Sequence, residues 1–141
     1  MAYDYGTHNQ VLWSALAGED LSAHQFGFVI LSTAPGYYLK ASTEGGLVDG
    51  ILQNAPSSGQ EALIAGPGSI SKVMTDGTLQ FGEMAICSTG GKAMASTGQG
   101  SGWQLGRCLD GGVSLVDQSA STVAMVNCLN FGIFGYRSTA N

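Results

Sequence analysis

The sequence is short of charge. Lys, Arg, Asp and Glu make up 11% of its 141 residues, against roughly 25% in ordinary globular proteins. The five basic residues, Lys40, Lys72, Lys92, Arg107 and Arg137, are scattered, and the formal net charge is −5. Without a basic patch to neutralise phosphates, nucleic acid is not expected as a partner. Long apolar runs are missing too: none approaches the roughly 18–20 residues that span a bilayer as a helix. The first stretch, "MAYDYGTHNQVLWSALAGED", has no basic region and is broken by Asp4, Glu19 and Asp20, so it does not read as a signal peptide. The expectation is a soluble chain made in a cytoplasm, with no membrane partner.

Chemistry-bearing patterns are equally scarce. Cys87, Cys108 and Cys128 are widely spaced among apolar neighbours ("AIC", "RCL", "VNCLN"), and no C-x-x-C pair exists. They read as small buried hydrophobes in a reducing compartment. His8 and His24 have no cysteine or paired carboxylate at ligand spacing and read as lone surface histidines, so no metal site is expected. The glycine-rich pieces "GPGS", "TGGKAM" and "TGQGSG" match neither a phosphate-binding loop nor a dinucleotide fingerprint. No G-x-S-x-G elbow is present, and acidic residues fall singly except for Glu19–Asp20. Nothing points to a catalytic residue or a cofactor, and the chain is not expected to be an enzyme.

What the sequence does contain is glycine and short apolar runs. Its 22 glycines are about twice the usual share. After residue 20 come "FGFVILST", "YYLKAST", "LVDGILQN", "QEALIAG", "SISKVMT", "EMAICST", "KAMAST", "QLGRCLD" and "STVAMVNCLNFGIFGY", separated by turn signals such as "APG", "TEGG", "GPG" and "TGG". Pro35, Pro56 and Pro67 fall between the runs. This rhythm predicts an all-β fold, a compact barrel or sandwich. A surface so poor in charge suits burial against other protein better than permanent exposure, so composition points to obligate assembly.

The runs also repeat in order. Ile30, Ser32, Thr33 and Gly50 match Ile86, Ser88, Thr89 and Gly106 at an offset of 56, and Ala41–Thr43 match Ala95–Thr97 at 54. "EALIA" finds a weaker echo in "TVAMV". We expect one β-domain over residues 19–141 built from two similar β-units, with the repeat over 21–65 and 79–128. Residues 1–18 read as an N-terminal arm or a short helix, since Val11, Leu12, Ala15 and Leu16 could share a helical face before Gly18. Tyr3, Tyr5 and Trp13 are large anchors on that segment, packing either on the protein's own body or on a neighbour.

The order "F-V-I-L-S-T", "K-A-S-T", "G-I-L-Q-N-A-P-S-S-G-Q-E-A", "G-S-I-S-K-V-M" and "G-T-L-Q-F-G-E-M-A" resembles the small decoration (cement) proteins of tailed-phage capsids. The matching elements fall on Gly50–Asn54, Pro56, Gly59, Ala62–Ala65, Gly68–Met74 and Gly82–Ala85. The resemblance implies a β-barrel or β-tulip domain that forms a homotrimer on the outside of the icosahedral shell. There it would bridge copies of the major capsid protein, often with an N-terminal arm reaching across. The corresponding localisation is the virion, at the capsid exterior. Tyr3, Tyr5, Val11, Leu12 and Trp13 are then the first candidates for capsid or trimer contact. Phe131, Phe134 and Tyr136 come second, with a last core strand as the competing reading. Trp103, on "SGWQLG", is either a contact residue or a plug at a barrel mouth, and with Gln99 and Gln104 it is the one candidate cluster for an alternative carbohydrate- or receptor-binding module of a phage head or tail fibre.

Overall fold

Among the described residues the chain forms eleven strands joined by turns, and no helix occurs. The computed structural model describes residues 11–76, 79–96, 101–109, 113–114 and 125–137. The strands are β1 (Leu12–Ala17), β2 (Phe28–Leu31), β3 (Tyr37–Lys40), β4 (Gly50–Leu52), β5 (Glu61–Ala65), β6 (Ile70–Thr75), β7 (Met84–Cys87), β8 (Ala93–Ala95), β9 (Gly102–Cys108), β10 (Val113–Ser114) and β11 (Met125–Arg137). Pro35, Pro56 and Pro67 all lie between strands, where a missing N–H breaks no ladder.

Strand β1 corrects the expectation of an arm or short helix as far as residues 12–17 are concerned. Its side chains alternate, with Leu12, Ser14 and Leu16 exposed and Trp13, Ala15 and Ala17 turned to the core. That period of two satisfies β1 as a strand between β5, antiparallel, and β3, parallel. The five strands β1-β3-β2-β4-β5 close into a barrel around Ala17, Leu21, Val29, Leu52, Ala62 and Ile64.

The second sheet repeats this arrangement strand for strand. β6 is parallel to β8, β8 pairs with β7, β7 with β9, and β11 pairs with both β9 and β6, so the ring returns on itself. Even the registers agree. Leu12 and Ile51 both face Ala65, as Ile70 and Arg107 both face Asn130. Val29 faces Gly50 and Lys40, as Ala85 faces Gly106 and Ala95. The structural units therefore run from β1 to β5 and from β6 to β11, wider than the stretches that match in sequence. Two details shift: Lys40, not Ala41, is the counterpart of Ala95, and β5 corresponds to Val126–Asn130, not to "TVAMV".

The two barrels are not separate bodies. Phe28, Ala41, Val48 and Ile51 of the first belong to the core of the second, with Val73, Leu105, Leu129 and Phe131. In the first barrel the Leu16 N–H donates to Gly36 O at 2.9 Å, closing the β1–β3 seam. The equivalent groups of the second barrel, Met74 N–H and Gly91 O, are instead bridged by Phe26–Phe28. Met74 N–H donates to Phe26 O at 2.8 Å, and Phe28 N–H donates to Gly91 O at 2.8 Å. A piece of the first barrel thus fills the seam of the second, and the Phe28 ring reaches to 6.2 Å from that of Phe131.

Gly50 and Gly106 hold the same place in the two rings, where strands cross too closely for a side chain. A Cβ on Gly50 would lie 2.4 Å from Ile64 Cγ2 and 2.7 Å from the Ala65 carbonyl oxygen. Gly50→Val is expected to destabilise the chain by about 1–3 kcal/mol or more, through overpacking. Because the second obstacle is backbone, Ile64→Ala in the same chain should not restore stability. Chemical denaturation of the single and double variants checks both statements.

Candidate functional site

Strand β11 continues past the point where its counterpart stops. After Ala65 the first unit turns at Gly66 and Pro67, whereas β11 runs on through "GIFGYR" and pairs again with β9. A register shift between Phe131 and Gly135 separates the two pairings, after which Gly135 faces Gln104 and Tyr136 faces Trp103. Gly135 takes a φ of 124°, in the region that glycine tolerates best. The result is a twisted ribbon beyond the barrel wall, with Ile133, Phe134 and Tyr136 on its surface. Phe134 is 55% and Tyr136 59% exposed. The Tyr136 ring meets Trp103 edge-on at 5.5 Å, which fixes the ribbon's aromatic face.

The residues singled out from the sequence divide into groups. Phe134 and Tyr136 sit together on the ribbon, and Val11 and Leu12 are exposed at the start of β1. Phe131 is buried in the core of the second barrel, so for this residue the core-strand reading holds and the contact reading does not. Trp13 is half-buried and lines the first barrel, its ring 6.3 Å from Tyr38 and pressed over Gly66. Trp103 lies on β9 and packs against the core, and its backbone N–H donates to Gly45 O at 2.9 Å. Tyr3 and Tyr5 lie outside the described residues, as does Gln99.

Sequence reading missed several surface groups. Phe81, in the β6–β7 turn, is 72% exposed. Leu16, Ile30 and Tyr37 form part of the outer wall of the first barrel and are exposed as well. The signal was present in β1: small Ala15 and Ala17 alternate with Leu16, which marks the small residues as inward and the large one as outward. Reading the segment at helical spacing concealed it.

His24 is not a surface residue, contrary to expectation: it is 6% exposed, under Gly27 and Gly91. Its Nε2 lies 2.8 Å from Phe28 O, at the junction of the barrels. Burial holds its pKa below the ordinary 6.5, partly opposed by that hydrogen bond. Burial likewise pushes the Cys87 thiol up to about 12, and Cys87 and Cys108 are both buried; the side chain of Cys128 lies outside the description. Among the described residues no three His, Cys, Asp or Glu side chains form a cluster able to hold a metal. What the surface offers is apolar and aromatic contact area.

No family model matches the chain, and no curated protein does. Among solved structures it is similar to the N base of head fiber gp8.5 in bacteriophage phi29. The TM-score is 0.57 and the identity 10%, over 89% of this chain and 99% of that one. At that identity the likeness is one of fold.

Two outcomes follow from these placements. Phe131→Ala should cost about 3–5 kcal/mol as a large core truncation, while Phe134→Ser should stay within about 0.5 kcal/mol because its ring is largely in water; urea denaturation of each separates them. For His24, the unfolded chain takes up a proton near pH 6.5 that the folded chain resists. Stability should therefore fall as pH drops below about 6.5, and His24→Gln should flatten that part of the profile. Melting temperatures between pH 7.5 and 5 test it.

Proposed function

We propose that this chain is a structural protein of a tailed-phage head: a non-enzymatic decoration protein on the capsid exterior that bridges copies of the major capsid protein. The observation that carries this reading is the fold likeness to the base of a phage head fiber, which spans nearly all of both chains. The resemblance of the strand and turn motifs to capsid cement proteins points the same way. The physical character of the surface agrees with it. Two rigid, fused barrels display apolar groups on separate faces, the β9–β11 ribbon and the wall of the first barrel. A bridging protein needs at least two such faces. We assign the ribbon, with Phe134 and Tyr136, to the capsid, and self-association, as a homotrimer, to other surfaces. Three ribbons on one assembly would raise avidity by roughly 10²–10⁴ over a single contact, enough for small patches to hold a shell. No nucleic acid, membrane or cofactor takes part.

A sugar- or receptor-binding module is less well supported. Such a site would need a free aromatic face, and Trp103 spends its ring on Tyr136 and on the core.

Co-sedimentation with mature and with unexpanded capsids of the encoding phage tests the reading. Saturable binding by the full chain is expected, weakened at least tenfold by Phe134→Ser with Tyr136→Ser. Removing residues 2–10 takes away none of the described strands, whereas removing 2–18 deletes β1 and should unfold the first barrel. Weaker binding after the shorter deletion makes residues 2–10 a clasp; equal binding removes them from the contact. Absence of binding to both shells overturns the proposal.

A further inference from the structure

The duplicated register lets each surface of one barrel be compared with its counterpart on the other. Tyr38, Val29 and Ala17 point into the first barrel, so Tyr37, Leu39, Ile30 and Leu16 form its outer wall across β1, β3 and β2. Leu16, Tyr37 and Ile30 are exposed and Leu39 half-buried. Their counterparts in the second barrel are Met74, Lys92, Ile86 and Met94, and of these Met74, Ile86 and Met94 are buried. The same apolar wall is thus covered in one barrel and bare in the other.

What lies along the covered wall is known. Residues 24–28 and 41–45 of the first barrel run beside it, tied by Met74 N–H to Phe26 O, Phe28 N–H to Gly91 O and Gly45 N–H to Cys87 O. The counterpart of residues 24–28 in the second barrel is Gln80–Met84. The hydrogen bonds establish the equivalence: Phe26 N–H donates to Leu52 O and Leu52 N–H to Gly27 O, while Gly82 N–H donates to Cys108 O and Cys108 N–H to Glu83 O. Phe26, with a φ of 68°, and Gly82, with a φ of 81°, share the left-handed conformation. In the second barrel this turn carries Phe81 into water, the most exposed large apolar side chain among the described residues.

From this we infer that barrel two of one molecule docks through its Phe81 turn on the Leu16–Tyr37–Leu39–Ile30 wall of the next molecule's barrel one, using the counterparts of the turn and the wall that meet within a chain. The β1–β3 seam is already closed by the Leu16–Gly36 hydrogen bond, so the second copy lies on the wall and does not enter the seam. Within a chain the turn of barrel one lies on the wall of barrel two; continued from chain to chain, that order makes the contact head to tail, and it closes only as a ring. The inference deepens the self-association proposed above, and rests on that reading only for the ring's closing at three copies.

Native mass measurements on the purified chain test it without any capsid. The wild type should be a multimer, and Phe81→Ser and the double variant Leu16→Ser with Tyr37→Ser should each be monomers. All three positions are exposed; should the double variant fail to fold, Ile30→Ser replaces it. Mixed in equal amounts, the two monomeric variants should form a one-to-one dimer, because the first keeps an intact wall and the second an intact turn. A contact that used neither of these two surfaces could not complement in this way. A monomeric wild type, variants that keep the wild-type mass, or a mixture that stays monomeric each overturns the inference. Capsid binding is read separately, so a failed co-sedimentation with the expected masses would sink the capsid reading alone.

Discussion

The arrangement of the whole chain depends on three residues, Phe26–Gly27–Phe28, held in the seam between β6 and β8. The second barrel closes there through a single strand pair, Thr75 with Ala93. Without an insert the Met74 N–H and the Gly91 carbonyl would have to find other partners, and an unpaired buried backbone group costs roughly 1–3 kcal/mol. Phe26 supplies the acceptor and Phe28 the donor. To do so Phe26 adopts a left-handed backbone, at a cost of about 1–2 kcal/mol for a residue with a Cβ. Complete burial of the Phe28 side chain contributes about 1.5–3 kcal/mol, and the two hydrogen bonds add to it. The strain is outweighed, and two rings become one body.

Fusion of this kind requires the repeats to diverge in volume. In the first barrel the bulky Trp13 sits over Gly66, whose Cβ would clash with it. The shared pattern of Gly66 N–H to Val11 O and Phe131 N–H to Ser69 O aligns those positions with Ser71 and Phe131 in the second. Large and small have changed places across the same pair of sites. Tyr38 has Ala93 as its counterpart in the same way, and the room gained is shared by Phe131 and the intruding Phe28. Bulk lost at one position is supplied from another strand, as close-packed interiors demand.

Much of this was legible beforehand, and the reasons differ by element. The nine runs after residue 20 correspond to strands, most of them marked off by glycine or proline turns, whose geometry is local. The repeat was legible at Gly50 and Gly106, where strand crossing excludes a Cβ in both units. It was misaligned at β3, where the identical Ala-Ser-Thr of residues 41–43 and 95–97 drew the match one residue off the strand pairing, and at β5, where apolar residues recur on both sides of the true register. β1 was misread because Val11, Leu12, Ala15 and Leu16 fit a helical face as well as a strand, and only pairing with β3 and β5 decides between them. Phe131 and Phe134 lie three residues apart in one apolar run. Strand alternation puts residues three apart on opposite faces, and which of the two faces the core is set by the pairing of β11 with β9 and β6, not by the residues themselves.

The scarcity of charge takes on a different meaning once the two walls are compared. A monomer in water would gain from charged groups on the outer wall of barrel one, and the matching wall of barrel two does carry Lys92 where barrel one has Tyr37. The polarity is thus placed the opposite way from what exposure in a free monomer favours: the covered wall holds the cation and the bare wall the aromatic. The exposed row of Leu16, Tyr37 and Ile30 is the apolar area that the proposed contact between copies would cover. The β11 extension, absent from the first unit, is a second such surface built by lengthening one strand. The repeated unit supplies the scaffold, and different side chains at a few equivalent positions turn one copy's surface inward and leave the other's exposed.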